Sequence, residues 1–122
     1  MRLERLDHVS INVTDRPRSI AWYRDVLDLP QLNEPTDDDE PVFVGEPGLQ
    51  FGLFQAQVAS PPRETESSGL RHVALVVDDL EAAKKRLDAH GVTYRAADHG
   101  NALSVYFRDP DGNTLELTTY KR

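Results

Sequence analysis

The sequence predicts an α+β fold made of two tandem βαβββ modules, and three observations carry that prediction. First, "LDHVSINVTD" (Leu6 to Asp15) and "LRHVALVVDD" (Leu70 to Asp79) match at a separation of 64 residues, pairing His8 with His72, Val9 with Val73, Val13 with Val77 and Asp15 with Asp79. Second, each stretch alternates apolar and polar residues and leads into a helical pattern, which short strand-like runs follow. Third, the same separation places Phe43 on Phe107, Gly48 on Gly112 and Leu53 on Leu117, so one supersecondary unit is expected to be duplicated without a gap.

Each element follows from local chemistry. In the first stretch Val9, Ile11 and Val13 share one face and His8, Ser10 and Asn12 the other, the pattern of a half-buried strand. Thr14 or Asp15 is placed to cap a helix carrying Ile20, Trp22, Tyr23, Val26 and Leu27, with Trp22 expected in the core. Strands are expected at about 30–34, 41–45 and 49–55, with "NEPTDDDEP" (Asn33 to Pro41) as a solvated loop. The Pro/Ser-rich "QVASPPRETESSG" (Gln57 to Gly69) reads as a linker between module one (about 4–56) and module two (about 70–122). In module two Asp78 or Asp79 caps "LEAAKKRLDAH", which Gly91 ends. Strands follow at about 92–97, 102–108 and 113–120, the last two joined by "DPDG", a type I turn signature.

Composition narrows the function classes. A chain of 122 residues fits one domain large enough for a real core. Its net charge of −7 argues against nucleic acid or an anionic membrane as partner. No apolar run approaches a membrane span, and the N-terminus lacks an apolar signal core, so a cytoplasmic protein is expected. Zero cysteines removes disulfides, thiolate metal sites and a cysteine nucleophile.

The alternation also sorts residues by face. Leu115 and Leu117 belong to the core side of the last strand, which leaves Thr114, Glu116 and Thr118 on the other. By the same rule His8, Ser10, His72, Ala74, Gln50, Gly52, Phe54, Ser104 and Tyr106 point the way Glu116 does. Two imidazoles in equivalent repeat positions and one carboxylate on a shared surface form a metal-ligand set.

Paired βαβββ modules, a histidine near the start of each module's first strand, and "DPDGNTLEL" together resemble the vicinal oxygen chelate superfamily. That group includes glyoxalase I, fosfomycin-resistance thiol transferases, extradiol dioxygenases and bleomycin-resistance proteins. The resemblance covers about Leu6 to Tyr120. It implies a curved mixed-sheet cup with helices outside, a divalent metal within, and a homodimer. His8, His72 and Glu116 match three of the family's four ligand positions. The remaining one falls on Gly52, which has no side chain to donate, so the chain departs from the glyoxalase I arrangement. Two His and one Glu suit Fe(II), Mn(II) or Zn(II) and leave positions for a substrate that chelates through neighbouring oxygens. The expected function is a metal-dependent lyase, dioxygenase or thiol transferase acting on a small oxygen-rich metabolite or xenobiotic.

Ser10, Gln50, Phe54, Ser104 and Tyr106 are the expected pocket residues. Ser10 and Tyr106 are also candidates to hold a substrate oxygen. His90 and His99, near a helix end and a loop, read as incidental, and Arg108 is the one cation expected on the cleft face. The alternative, suggested by Gly52, is a metal-free protein that binds or sequesters a small molecule.

Overall fold

The structure is a computed structural model and describes residues 1–58 and 68–122. Most of the expected linker, 57–69, lies outside the described residues. The chain forms two compact units, Met1–Ser60 and Pro61–Arg122. Each carries a mixed sheet with one helix packed on it, the α+β arrangement expected.

Unit one runs β1 (Val9–Val13), α1 (Arg16–Leu27), β2 (Val42–Glu46) and β3 (Leu49–Gln55). The sheet order is β1-β3-β2, with β1 parallel to β3 and β2 antiparallel to it. Asp15, extended at φ −138°, is the cap residue: its carboxylate accepts the Arg18 amide at 3.1 Å. The helix start is fastened further by Arg16, a buried residue whose guanidinium donates to the Glu40 carbonyl at 2.6 Å and more weakly to that of Leu53. Tyr23 and Val26 of α1 close the core over Val13, Val42, Val44, Phe51 and Leu53. Trp22 does not join them. It is only half-buried and stands edge-on to Tyr23 with ring centroids 4.9 Å apart, so the smaller aromatic fills the core and the larger one covers its rim.

The strand expected at 30–34 shrinks to an isolated bridge, Gln31 to Val44. Its backbone still meets β2 through Gly45 N–H to the Pro30 carbonyl and Leu32 N–H to the Phe43 carbonyl. Then the Asn33 side chain takes over, accepting the Phe43 amide at 2.7 Å and donating to the Pro41 carbonyl at 3.1 Å. A proline at the start and a side chain competing for the ladder leave too few backbone pairs for a strand.

Unit two runs β4 (Val73–Val76), α2 (Leu80–Ala89), β5 (Arg95–Asp98), β6 (Ala102–Arg108) and β7 (Thr114–Tyr120), in sheet order β4-β7-β6-β5. Asp79 caps α2 by accepting the Ala82 amide at 3.0 Å, and Gly91, at φ 68°, turns the chain out of the helix. Leu80 and Leu87 pack with Val105, Phe107, Leu115 and Leu117 as the core. The β6–β7 hairpin turns at Asp109–Gly112, with the Gly112 amide on the Asp109 carbonyl at 3.0 Å. The Asp109 carboxylate fastens it, accepting the amides of Asp111 and Asn113 and the Asn113 side chain.

The two units do not match at 64 residues throughout. That spacing holds for β1 and β4, both N-caps, and β3 and β7, since Val9 pairs with Phe51 as Val73 pairs with Leu115. It fails for β2 and β6. Phe43 pairs with Gly52, whereas Tyr106, not Phe107, pairs with Glu116. The second hairpin is one residue longer between equivalent pairs. Phe43 is therefore the counterpart of Tyr106, on the face opposite the core, while Phe107 is buried in it. Among the described residues no helix is long and apolar enough to cross a membrane.

Candidate functional site

In unit two the residues opposite the core form a row across four strands: Ala74, Glu116, Tyr106 and Arg95. Glu116 is buried although it carries a carboxylate, and burial of such a group needs partners. Its Oε1 lies 3.0 Å from Nε2 of His72, the residue just before β4. Its Oε2 lies 2.6 Å from the Ser104 hydroxyl, a short charge-assisted bond. Ser104 is also buried, and its oxygen is 2.9 Å from the Thr118 hydroxyl. Ser104 donates to the carboxylate over its shorter contact, while the neighbouring Thr118 hydroxyl donates to the Leu103 carbonyl at 3.3 Å. So Ser104 acts as a support beside Glu116 instead of facing a ligand.

Two more groups reach the same carboxylate. His99, set by the loop after β5, brings Nε2 within 3.7 Å of Oε2 and within 3.0 Å of the Tyr106 hydroxyl. The expectation that His99 is incidental is thus corrected; His90 only caps α2. The β5–β6 hairpin returns His99 over the sheet, a placement that depends on the strand pairing of Ala97 with Ser104. Tyr106 stacks edge-on against His72, with centroids 5.5 Å apart. Burial, then the negative charge of Glu116 and a hydrogen bond to it, push the Tyr106 phenol above its ordinary range, and Arg95 opposes them. Tyr106 is therefore a neutral hydroxyl at any physiological pH.

Unit one presents a different row: Ser10, Gly52 and Phe43. A Cβ on Gly52 would lie 2.9 Å from the Ser10 hydroxyl oxygen and 3.2 Å from the Phe43 ring, so that space is already filled. His8, exposed just before β1, stands edge-on to Phe43 at 5.2 Å. Its Nδ1 is 2.7 Å from the Asp7 carboxylate, whose acidity that hydrogen bond strengthens. Gln50 and Phe54 are half-buried in β3, on the face expected. Phe43, which the gapless repeat set against Phe107, is instead the counterpart of Tyr106 and a wall residue beside Gly52.

Imidazole nitrogen and carboxylate oxygen are the donor types expected around Fe(II), Mn(II) or Zn(II). The pair His72–Glu116 fits such an ion. The 3.0 Å between them is that of a direct hydrogen bond or ion pair, and it also matches two ligand atoms each about 2.1 Å from a metal and 90° apart. Asp7 engages Nδ1 of His8, so Nε2 is the nitrogen that ring would offer an ion, as in carboxylate-oriented metal histidines. Among the described residues, no group of three or more His, Asp or Glu side chains is itself arranged to hold a metal ion.

Known proteins were compared with this sequence and fold. The chain is 32% identical to YaeR of Escherichia coli over 94% of its own length and 95% of that protein. It is 29% identical to the glutathione transferase FosA of Serratia marcescens, covering 94% of this chain and 80% of FosA. Among solved structures, the glyoxylase/bleomycin resistance protein/dioxygenase domain from Frankia sp. EAN1pec matches with a TM-score of 0.86 at 25% identity, over 99% of this chain and 95% of that one. The family model for the Glyoxalase/Bleomycin resistance protein/Dioxygenase superfamily spans residues 5–117. With its two βαβ-type units and a carboxylate at the centre of the last strand, this chain belongs to the glyoxalase/bleomycin resistance protein/dioxygenase superfamily.

Proposed function

We propose that this protein is a divalent-metal-dependent enzyme acting on a small oxygen-rich metabolite or xenobiotic, with His8, His72 and Glu116 as its metal ligands. The observation that carries the reading is the 3.0 Å separation between His72 Nε2 and a buried Glu116 oxygen. A bound ion would supply Lewis acidity to neighbouring substrate oxygens. The chain's own residues do the rest. Ser104 fixes the carboxylate's rotamer from beside it, so Glu116 is held without searching for its geometry. Tyr106, kept protonated by its surroundings, offers a hydroxyl donor beside that carboxylate, with His99 as its partner. Lyase, dioxygenase and thiol-transferase chemistry are all compatible with such a set. A homodimer is part of the proposal, and sedimentation at micromolar concentration checks it.

Metal analysis of protein purified without chelator tests the ligand set. Near-stoichiometric divalent metal in the native protein and its loss in His72→Ala support the reading. Equal, negligible metal in both removes it.

One observation favours a second reading, a metal-free small-molecule binder. At the position equivalent to Glu116, unit one has Gly52 with Phe43 over it and His8 against Phe43, an apolar wall in place of a donor. Ligand affinity that survives EDTA and falls on Phe43→Ala or Phe54→Ala distinguishes it.

A further inference from the structure

We infer that Arg95 is a carboxylate-recognition residue and that the substrate is an organic acid. This deepens the proposed function and rests on it for the position of the substrate's other end. Arg95 opens β5 directly opposite Tyr106, which lies opposite Glu116, so the guanidinium shares the face of the carboxylate site. Its Cζ lies 4.8 Å from the centre of the Tyr106 ring. An exposed arginine ordinarily samples many rotamers; stacking on an aromatic face narrows them and leaves its planar N–H edge free to meet an oxyanion. Among the described residues, no carboxylate pairs with Arg95, although the chain carries seven more negative than positive charges. In so acidic a protein, an unpaired and oriented guanidinium is a selective place for an anion.

Geometry sets the size of the ligand. Strands lie about 4.8 Å apart, so the backbones of β5 and β7 are separated by about 10 Å. A molecule whose oxygens engage the metal site beside Glu116 therefore reaches Arg95 with a group a few bonds away. One guanidinium balances the charge of a monoanionic carboxylate and leaves a dianionic phosphate half-compensated, although its fork fits the oxygens of either. Arg108 is on the same face of β6 but is not stacked on Tyr106, so it is the natural control.

The test uses two hydroxamates with the same chelating head on protein supplied with Mn(II). Acetohydroxamate ends in a methyl group, and succinohydroxamate ends in a carboxylate. Wild type is expected to bind the second about tenfold more tightly, the scale of one charge-assisted contact. Arg95→Met should erase that preference and leave acetohydroxamate unchanged, Arg95→Lys should restore part of it, and Arg108→Met should keep it. Where hydroxamate binding is abolished by EDTA, no preference in wild type, or a preference surviving Arg95→Met, overturns the assignment. The two readings separate after EDTA treatment. Hydroxamate binding indifferent to EDTA defeats the metal site alone. Benzoate binding better than benzamide in EDTA-treated wild type but not in Arg95→Met upholds the anion site without metal, and benzoate binding no better than benzamide in wild type overturns it.

Discussion

Two equivalent rows of side chains have taken opposite solutions. In unit two the centre of the row is Glu116, flanked by the small Ala74 and the polar Tyr106. In unit one the centre is Gly52, flanked by Ser10 and the larger, apolar Phe43. The same sheet position thus holds a supported carboxylate in one unit and a filled gap in the other. A charged side chain there needs two things, space on its own face of the sheet and a hydroxyl beside it on that face. Ala74 and Ser104 provide them in unit two. In unit one the Ser10 hydroxyl, where unit two has Ala74, and the Phe43 ring occupy the space.

Removing the carboxylate breaks the comparison outright. Glu116→Gln is expected to lower metal affinity by about 100-fold or more, measured by competition with a chromophoric chelator, with the fold retained by circular dichroism. Converting one row toward the other is the next largest effect. Gly52→Glu forces a Cβ against Ser10 and Phe43 and should cost about 2 kcal/mol in urea unfolding. Pairing it with Phe43→Ala should recover part of that loss, and a destabilisation unchanged by the second substitution would show that Phe43 is not the obstacle. Ser104→Ala keeps the ligands but removes the support, so metal affinity should fall about tenfold with little change in the metal's identity.

The smallest effect lies at the rim of unit two. Lys121 donates to Asp98 at 2.9 Å, and that hydrogen bond, with the Gly100 amide, holds the Asp98 carboxyl below its ordinary value of 3.8. A depressed folded-state pKa contributes stability above the ordinary value and loses it as pH falls through the folded one. Melting temperatures of wild type and Asp98→Asn should therefore differ slightly at pH 6 and converge toward pH 2. The pair is exposed, so high salt should narrow the difference.

Much of this was legible in the sequence because strand alternation and helix caps are local. Gly91, the core sides of β1, β3, β4 and β7 and the shared face of His72 and Glu116 follow from residue order alone, and each N-cap is narrowed to two neighbours, of which the structure takes Asp15 and Asp79. What was not legible depends on how strands pair. Hairpin length decides whether Phe43 or its neighbours face the core, and no local pattern counts the residues in a turn. His99 was read as incidental and Arg95 escaped notice for the same reason, since only the pairing of β5 with β6 brings them beside Tyr106. The bridge at Gln31 replaced a full strand because Asn33 competes for backbone partners, a choice made by one side chain.

The Asp109 carboxylate has a consequence beyond its own turn. By gripping Asp111 and Asn113 it confines the hairpin's surplus residue to the loop, so odd and even positions of the final strand stay on their proper sides. Without that grip the surplus could migrate into the strand as a bulge, exchanging Glu116 with a neighbouring leucine across the sheet. A turn that touches no ligand thereby guards the polarity of the whole floor.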